Sequence, residues 1–147
     1  MKQQVKIKNE SKNKKPEYAH ETDSGMDIRA NLDEPLILQP GDRYAVPTGI
    51  YVELPENYEI QIRPRSGLAL KRGLTVLNSP GSVDQNFRGE LKIILINLDK
   101  NAQTIEPGER IAQLVFAKVE KVELIETEEI DENTDRGTTG FGDSGKF

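Results

Sequence analysis

The sequence predicts an all-β sandwich or barrel with one short helix. Short apolar and β-branched runs recur along the chain, and clusters of Gly, Pro, Asn and Asp separate them. The alternation is clearest at residues 58–63, where Tyr58, Ile60 and Ile62 alternate with polar side chains. Only residues 64–73 have the character of a helix within the body of the chain. Many short strands with little helix are typical of sandwiches and barrels.

Predicted strands follow one another from the N-terminus to residue 63. Residues 5–8 alternate and are predicted as an edge strand, and a lysine-rich linker follows them. Ser24 and Gly25 form a turn before the alternating Ile28 and Ala30. Turn residues separate the further strands, which are predicted at residues 36–38, 43–46, 50–54 and 58–63.

A short helix is predicted at residues 64–73. Ser66 suits its N-cap, and Gly73 suits the residue that stops it. Later in the chain, residues 103–105 are predicted as a strand that ends in a Pro-Gly turn. Residues 110–122 fit either a helical face or a buried strand, and their β-branched content favours the strand.

The stretch between the helix and residue 96 is predicted as a hairpin. Residues 75–77 form its first strand, residues 78–81 carry turn chemistry, and residues 91–96 form a buried return strand. Asp84 and Phe87 lie just past the turn. A hairpin with a carboxylate, an aromatic ring and backbone amides is suited to holding a planar base and a reactive water.

The character of the chain changes near its C-terminus. From Glu126 an acidic spacer leads into a glycine-rich stretch at residues 136–145. Such a composition is typical of a flexible tail. We therefore expect a β domain at residues 1–126 and a flexible C-terminal tail at residues 127–147.

Composition narrows the classes of function. The chain has 147 residues, enough for one domain, and a hydrophobic content of 35%, which is low enough to suggest polar tails or burial against copies of itself. It has no cysteine and one histidine, which argues against zinc sites and against a Ser-His-Asp triad unless His20 is its base. A net charge of −5 argues against a nucleic-acid surface. With no long apolar run, we expect a soluble, cytoplasmic protein.

Residues 65–67 and Asp84 are the first candidates for chemistry. Arg65, Ser66 and Gly67 lie where a strand gives way to the helix, so their amides and the guanidinium suit a phosphate. A helix cap with a surface arginine is the simpler explanation of this segment alone. Asp84 suits a base or a water-positioning group, because aspartate is ionised at neutral pH. A turn-capping aspartate is the simpler alternative.

Other polar and aromatic residues leave similar alternatives open. Asp27 suits an outer-shell partner of hydrated Mg²⁺ or an ordinary turn carboxylate. Phe87 is either a core residue or the floor beneath a sugar. Gln113 interrupts an apolar run, so its amide is either structural or directed at a ligand. In the tail, Phe141 suits stacking on a base and Arg136 suits a phosphate contact, although glycine-rich tails with one aromatic residue are common.

Taken in order, five segments resemble the motifs of the trimeric dUTPase family, the deoxyuridine 5′-triphosphate nucleotidohydrolases. Each segment alone is a weak signal, but the five in order with matching gaps are specific, and they span nearly the whole chain. The segments are residues 24–30 (SGMDIRA), 64–67 (PRSG), 81–90 (GSVDQNFRGE), 108–114 (GERIAQL) and 136–145 (RGTTGFGDSG).

The resemblance implies a jelly-roll-like fold, a homotrimer with shared active sites, and Mg²⁺ as cofactor. It implies hydrolysis of dUTP to dUMP and pyrophosphate, without a nucleic-acid or membrane partner. The implied catalytic residues are Asp84 for the water, Asp27 for outer-shell support of the metal without direct ligation, and Arg136. Substrate contacts are implied at Arg65, Ser66, Gly67, Asn78, Gly81, Ser82, Val83, Phe87, Lys92, Gln113, Phe141, Gly142 and Ser144.

The chain departs from the family pattern at three places. Phe87 replaces the usual tyrosine. The aromatic ring is retained, so steric exclusion of a ribose 2′-hydroxyl is expected to persist, but any hydrogen bond from the phenol is lost. Gln85 and Asn86 replace small or acidic residues, and we expect them to be tolerated at the hairpin tip. Asp143 adds a negative charge to the tail, which is expected to weaken its closure. A dCTP deaminase-like or bifunctional relative and a non-catalytic nucleotide-binding trimer are the alternative functions.

Overall fold

The computed structural model describes residues 2–142 and residue 145. Within these residues the chain forms one short helix and eleven strands, which confirms the all-β class. The strands are β1 (Lys6–Asn9), β2 (Met26–Arg29), β3 (Leu36–Leu38), β4 (Arg43–Pro47), β5 (Ile50–Glu53) and β6 (Tyr58–Arg63), followed by the helix α1 (Ser66–Arg72), and then β7 (Leu74–Val76), β8 (Gly81–Val83), β9 (Lys92–Asn97), β10 (Gln103–Ile105) and β11 (Arg110–Lys118).

Two larger antiparallel sheets organise the fold. The first has the strand order β2-β11-β6-β8 and the second has the order β4-β9-β7. Two small ribbons, β1-β5 and β10-β3, complete the strands. Every pairing is antiparallel, and neighbours in the sheets are distant in sequence. This arrangement fits the jelly-roll-like β sandwich that the family resemblance implies.

Period-two alternation builds the core from both sheets. In β9, Ile93, Leu95 and Asn97 are buried while the residues between them are less so, as expected for a strand with one face inward. Asn97 is fully buried, and its amide donates to the carbonyl oxygens of Leu38 and Asn101, both at 2.9 Å. It therefore links β9 to β3 and to the loop before β10. Buried polar groups in proteins are normally hydrogen-bonded in this way.

Most predicted strands are confirmed, with boundary shifts of one or two residues. Residues 110–118 form a strand, as their β-branched content predicts, but the strand ends at Lys118 and does not reach Val122. Gly73 follows the helix with φ 60°, the left-handed conformation expected of a helix stop. The prediction of Ser66 as N-cap is wrong. Arg65 takes that position in an extended conformation, and no side chain caps the helix.

The hairpin prediction is only half correct. Its two outer strands do pair, because β7 and β9 are antiparallel neighbours. The connection between them is more than a turn, since β8 lies within it and pairs with β6 in the other sheet. Residues 77–91 therefore cross from one sheet to the other and back. The local turn signal at residues 78–81 could not reveal a pairing decided by β6.

No strand follows Lys118 in the described part of the chain. Residues 120–139 are exposed, which agrees with the polar composition of this region. The last strand ends at Lys118, before the boundary expected at residue 126, and the exposed residues continue across that position. No helix within the described residues has the length and apolar character needed to cross a membrane.

Candidate functional site

Three strands and the start of the helix bring the polar residues of three predicted segments together. Asp27 on β2 lies opposite Gln113 on β11, and Gln113 lies opposite Arg63 at the end of β6. The chain leaves β6 through Pro64 and enters α1 at Arg65, so the helix start reaches the same end of the sheet. We call Asp27, Arg65, Arg110 and Gln113 the Asp27 cluster.

Two arginines hold the carboxylate of Asp27. The Nε atom of Arg65 donates to its Oδ1 at 2.9 Å, and Nη1 of Arg110 donates to its Oδ2 at 3.1 Å. The side chains of Asp27 and Arg65 are each 27% exposed, so solvent screens this pair only partly. One carboxylate faces two guanidinium groups, and the cluster therefore carries an excess positive charge in a protein whose net charge is −5.

A β-bulge places Arg110 in this cluster. The register between β11 and β2 shifts between Arg110 and Ala112, and both Ile111 and Ala112 are buried. Without the extra residue, Arg110 and Gln113 would point to opposite faces of the strand. Arg110 was not among the predicted site residues, because strict alternation separates it from Gln113. The one sequence signal for it is its place within the fourth family-like segment.

Gln113 has a structural role at this end of the sheet. Its Nε2 donates to the carbonyl oxygen of Pro64 at 3.0 Å, and its side chain lies against Gly25. A Cβ atom on Gly25 would lie 2.4 Å from Oε1 of Gln113, so a larger residue there would displace the side-chain amide of Gln113. Gln113 thus fixes the residue that precedes Arg65. A structural role and a ligand-directed role for Gln113 are therefore compatible.

The start of α1 is open beside the Asp27 cluster. Ser66 and Gly67 are exposed, and a Cβ atom on Gly67 would meet no heavy atom within 4 Å. Arg65 also reaches the carbonyl oxygen of Arg110 with its Nη1 at 3.4 Å. The guanidinium, the hydroxyl of Ser66 and the backbone of Gly67 therefore face open space at the end of the sheet, as a group that binds phosphate requires.

A second group of predicted residues lies on β8 and the turn that follows it. Gly81 and Val83 are buried, whereas Ser82 and Asp84 are exposed. The side-chain amide of Asn78 approaches Gly81, where an added Cβ atom would lie 3.2 Å from its Nδ2. We call residues 84–88 the Asp84 turn. Asp84 borders a cavity of about 370 Å³, whose lining also contains Asn57, Tyr58, Glu59, Gln85, Asn86, Val119 and Lys121.

Phe87 is a surface residue of the Asp84 turn. Its side chain is 44% exposed, so the alternative that it belongs to the core is wrong. Its ring lies over Gly89, where an added Cβ atom would lie 2.6 Å from Cζ.

Lys92 is exposed at the start of β9, opposite Pro47. It belongs to the other sheet and is not in contact with the Asp27 cluster through strand pairing.

One chain does not bring the two groups together. Val83 pairs with Ile60, so Asp84 follows opposite the part of β6 that contains Glu59, whereas Asp27 aligns with Arg63. The two carboxylates are separated by three strand spacings and four residues along β6, a distance on the order of 20 Å. A single water or phosphate cannot contact both within one chain.

The described part of the tail does not contact either group through a hydrogen bond. Arg136 donates from Nε to the carbonyl oxygen of Thr139 at 3.0 Å, which closes a local turn. Phe141 is fully exposed with φ 55°, and Gly142 follows with φ 83°. The predicted contact at Ser144 and the variant residue Asp143 lie outside the described residues.

The donor set at Asp27 suits a hydrated cation better than a directly bound one. Among the described residues, no cluster of three or more His, Cys, Asp or Glu residues surrounds a common point. Each oxygen of Asp27 already accepts a hydrogen bond from an arginine. Each carboxylate oxygen retains a further lone pair, which fits a water molecule of a hydrated Mg²⁺.

Ion pairs outside the two groups lower the pKa of several carboxyl groups. The hydrogen bond from Lys8 lowers the pKa of Glu10, the bond from Lys6 lowers that of Glu53, and the bond from Lys12 lowers that of Asp33. All three carboxylates are exposed. The Lys6–Glu53 pair joins β1 to β5 and the Lys12–Asp33 pair joins the loop after β1 to the residues after β2, whereas the Lys8–Glu10 pair is local.

The family model of the dUTPases matches residues 11–145. The deoxyuridine 5′-triphosphate nucleotidohydrolase of Fusobacterium nucleatum is 53% identical over 143 residues, which cover 97% of this chain and 97% of that protein. The enzyme of the same name from Chlamydia trachomatis is 55% identical over 137 residues, with 93% and 94% covered.

Solved structures agree with this similarity. The dUTPase of Staphylococcus bacteriophage 80alpha, solved with dUPNHPP, has a TM-score of 0.88 and 30% identity, and the match covers 99% of this chain and 100% of that chain. A mutant dUTPase of Staphylococcus aureus phage phi11, described with a structural Mg(II) ion, has a TM-score of 0.78 and 25% identity, with 88% and 99% covered.

Proposed function

The chain belongs to the dUTPase family, and on that premise we propose that it hydrolyses dUTP to dUMP and pyrophosphate. The observation that carries the proposal is the match of the family model across residues 11–145, which includes all five predicted segments. Relatives that share more than half of their residues with this chain are named for this activity. Because dUTP is an intracellular metabolite, the proposal includes a cytoplasmic location.

The Asp27 cluster is proposed to bind the triphosphate. The guanidinium of Arg65, the hydroxyl of Ser66 and the amide of Gly67 lie at an open helix start, and Gln113 fixes the residue before them. Their excess positive charge compensates the negative substrate where the rest of the protein would repel it. Asp27 holds Arg65 from behind, so its guanidinium is oriented before substrate arrives.

The cofactor proposed for this site is Mg²⁺ on the substrate phosphates. When bound, it neutralises charge that develops on the phosphate oxygens. The carboxylate of Asp27 would accept hydrogen bonds from its waters. The protein itself contributes orientation and exclusion of water.

The β8 segment and the Asp84 turn are proposed to select the nucleoside and deliver the water. Asp84 accepts a hydrogen bond from a water molecule and directs its oxygen at the α-phosphorus. As the new P–O bond forms, the bond to the bridging oxygen breaks, pyrophosphate leaves, and the water's proton passes to the carboxylate. Asn78, Gly81, Ser82 and Val83 are proposed to read uracil, Phe87 to lie beneath the deoxyribose, and Lys92 to contact the substrate.

Each active site is proposed to be shared between copies in a homotrimer. Asp27 and Asp84 are on the order of 20 Å apart within one chain, so a substrate that needs both must lie between two chains. The tail is proposed to close over this site, with Arg136 and Ser144 on the phosphates and Phe141 and Gly142 on the base. The full exposure of Phe141 supports a partner outside its own chain.

A pyrophosphate assay across four nucleotides tests the reaction. With Mg²⁺, the protein is expected to release pyrophosphate rapidly from dUTP and at least about a hundredfold more slowly from dTTP, dCTP and UTP. Asp84→Asn should lower kcat by about a hundredfold or more, because an amide does not accept the water's proton. Ammonia release from dCTP would favour the deaminase-like alternative. Tight dUTP binding without turnover would favour the non-catalytic trimer.

Mixed trimers test the shared site directly. Asp84→Asn and Arg65→Ala are each expected to be nearly inactive alone. After the two variants are unfolded and refolded together in equal amounts, about a quarter of the sites should combine a native Arg65 with a native Asp84. Activity should therefore rise well above that of either parent. If the mixture stays as inactive as its components while each forms trimers, both residues belong to one chain's site.

A further inference from the structure

Gln85 ties the Asp84 turn to a separate part of the fold. Its Oε1 accepts a hydrogen bond from the backbone N–H of Asn57 at 3.0 Å. Asn57 lies in the turn between β5 and β6, and Gln85 directly follows the aspartate proposed to position water. The bond therefore connects the Asp84 turn to the beginning of the strand against which β8 pairs.

The hydrogen bonds inside the Asp84 turn do not fix its position relative to the sheet. The pairing of β8 with β6 ends at Val83, opposite Ile60. Beyond it, the N–H of Phe87 donates to the carbonyl oxygen of Asp84 at 3.1 Å, and Arg88 donates from Nη1 to the carbonyl oxygens of Gln85 and Phe87 at 2.8 and 3.0 Å. These bonds stay within the turn. They define its shape and leave its placement over the sheet to other contacts.

Gln85 supplies the side-chain hydrogen bond that leaves the turn. Among the hydrogen bonds of the described residues, no other side chain of residues 84–88 bonds to a different element. Asn86, its neighbour, is equally exposed and has no side-chain hydrogen bond within the described part of the chain. Gln85 and Asn86 both depart from the family pattern, but of the two only Gln85 forms a side-chain hydrogen bond.

Asn57 is a firm anchor for this bond. Its φ of 61° lies in the left-handed region, which asparagine tolerates better than most residues. Its carbonyl oxygen accepts a hydrogen bond from the N–H of Val119 at 2.9 Å, at the end of β11. With its carbonyl held by β11 and its backbone held in the turn, Asn57 presents its N–H to Gln85 in a fixed direction.

We propose that Gln85 is a positioning residue that holds Asp84 at the place where it delivers water, an inference that rests on the proposed hydrolysis. A carboxylate that directs a nucleophile must be held within a fraction of an ångström of its working position. After the turn the chain is held again at Glu90 and Leu91, which bond to Gly49 and Ile50, so the Gln85 bond is the one that fixes the turn at the residue next to Asp84. The sequence alone suggested a residue that is merely tolerated, and the structure assigns it a function.

Three variants separate this role from general effects. Gln85→Met keeps the length and removes the acceptor oxygen. Gln85→Glu keeps the acceptor and adds a charge to an exposed cavity wall that contains Lys121 as well as Asp84 and Glu59, where solvent screens all of these charges. Asn86→Ala is the matched control from the next position. For each, kcat and KM for dUTP are measured together with the thermal midpoint.

Gln85→Met is expected to lower kcat by roughly three- to thirtyfold, because a small displacement of a catalytic group is costly. KM should change less than kcat, since the proposed base and phosphate contacts lie outside the turn and only Phe87, beneath the sugar, lies within it. Gln85→Glu should recover kcat to within about twofold of the unmodified protein, and Asn86→Ala should match it. The thermal midpoint should stay within about 2 °C, since the bond is exposed.

The outcomes decide between this inference and the underlying function. If the unmodified protein does not hydrolyse dUTP, the proposed function fails first. If it does, and Asp84→Asn is inactive, then an unchanged kcat in Gln85→Met overturns the positioning role alone. Equal losses in Gln85→Met and Gln85→Glu would overturn the role of the acceptor oxygen. A loss confined to KM would assign Gln85 to substrate binding and contradict the proposal.

Discussion

At the scale of single residues, the charge balance around Asp27 is the central feature. Removing one partner from a partly buried ion pair leaves the other charge without compensation. Here the carboxylate has two guanidinium partners, one from the helix start and one from the bulge of β11. Arg110 therefore allows Asp27 to hold Arg65 without neutralising it fully, which leaves positive charge for a phosphate.

Replacing Arg110 tests this balance. Arg110→Gln is expected to lower kcat/KM for dUTP by roughly three- to tenfold. The cluster loses one positive charge, and the carboxylate of Asp27 then neutralises more of the charge of Arg65. Arg43→Gln removes the same charge from an exposed position on β4 and should leave kcat/KM within about twofold. Steady-state kinetics at one ionic strength compare the two. Equal effects of both variants would show that only net charge matters.

At the scale of elements, the end of α1 shows how a local signal and a distant contact combine. Gly73 has φ 60°, so any other residue is strained there. In addition, a Cβ atom would lie 2.7 Å from the backbone nitrogen of Asp99, in the loop after β9. The conformational requirement can be read from the sequence. The close approach to Asp99 requires the fold.

Two glycine variants separate these causes. Gly41 also has a positive φ, 84°, but a Cβ atom there would meet no atom within 4 Å. Gly41→Ala is expected to lower the free energy of unfolding by about 1 to 2 kcal/mol through backbone strain alone. Gly73→Ala should lower it by roughly 2 to 4 kcal/mol, since the clash adds to the strain. Urea unfolding at equal subunit concentration measures both free energies. Equal losses would mean that the loop containing Asp99 moves away from the added Cβ atom without lowering the stability further.

At the scale of the whole molecule, the separation of the two groups supports the proposal that each site is shared between chains. The Asp27 cluster and the Asp84 turn lie far apart on one sheet, and the described tail residues stay exposed. Val122, Leu124, Ile125 and Ile130 are also exposed large apolar residues after the last strand. In the proposed trimer these side chains are available to pack against a neighbouring chain. The low hydrophobic content of the sequence was open to two explanations, polar tails or burial against copies of the chain.

Deleting residues 136–147 tests whether the tail serves catalysis and not stability. Turnover of dUTP should fall by at least about a hundredfold, because an arginine on a closing segment contributes roughly 10³ to 10⁵ in related phosphoryl transfers. The trimer and its thermal midpoint should remain, since the described residues of this segment contribute nothing to the buried core. Size-exclusion chromatography and thermal unfolding provide the check. Loss of the trimer would assign the segment to assembly.

The sequence by itself determined most of the strand pattern, the helix and its stop, and the ordered segments that identify the family. These are local properties, because alternation, turn residues and glycine conformation depend on neighbours along the chain. Arg110, Gln85 and the separation of Asp27 from Asp84 required the tertiary structure. Each depends on a bulge, a turn contact or a strand register set between residues distant in sequence. Such pairings are decided by packing across the whole domain, which no local pattern encodes.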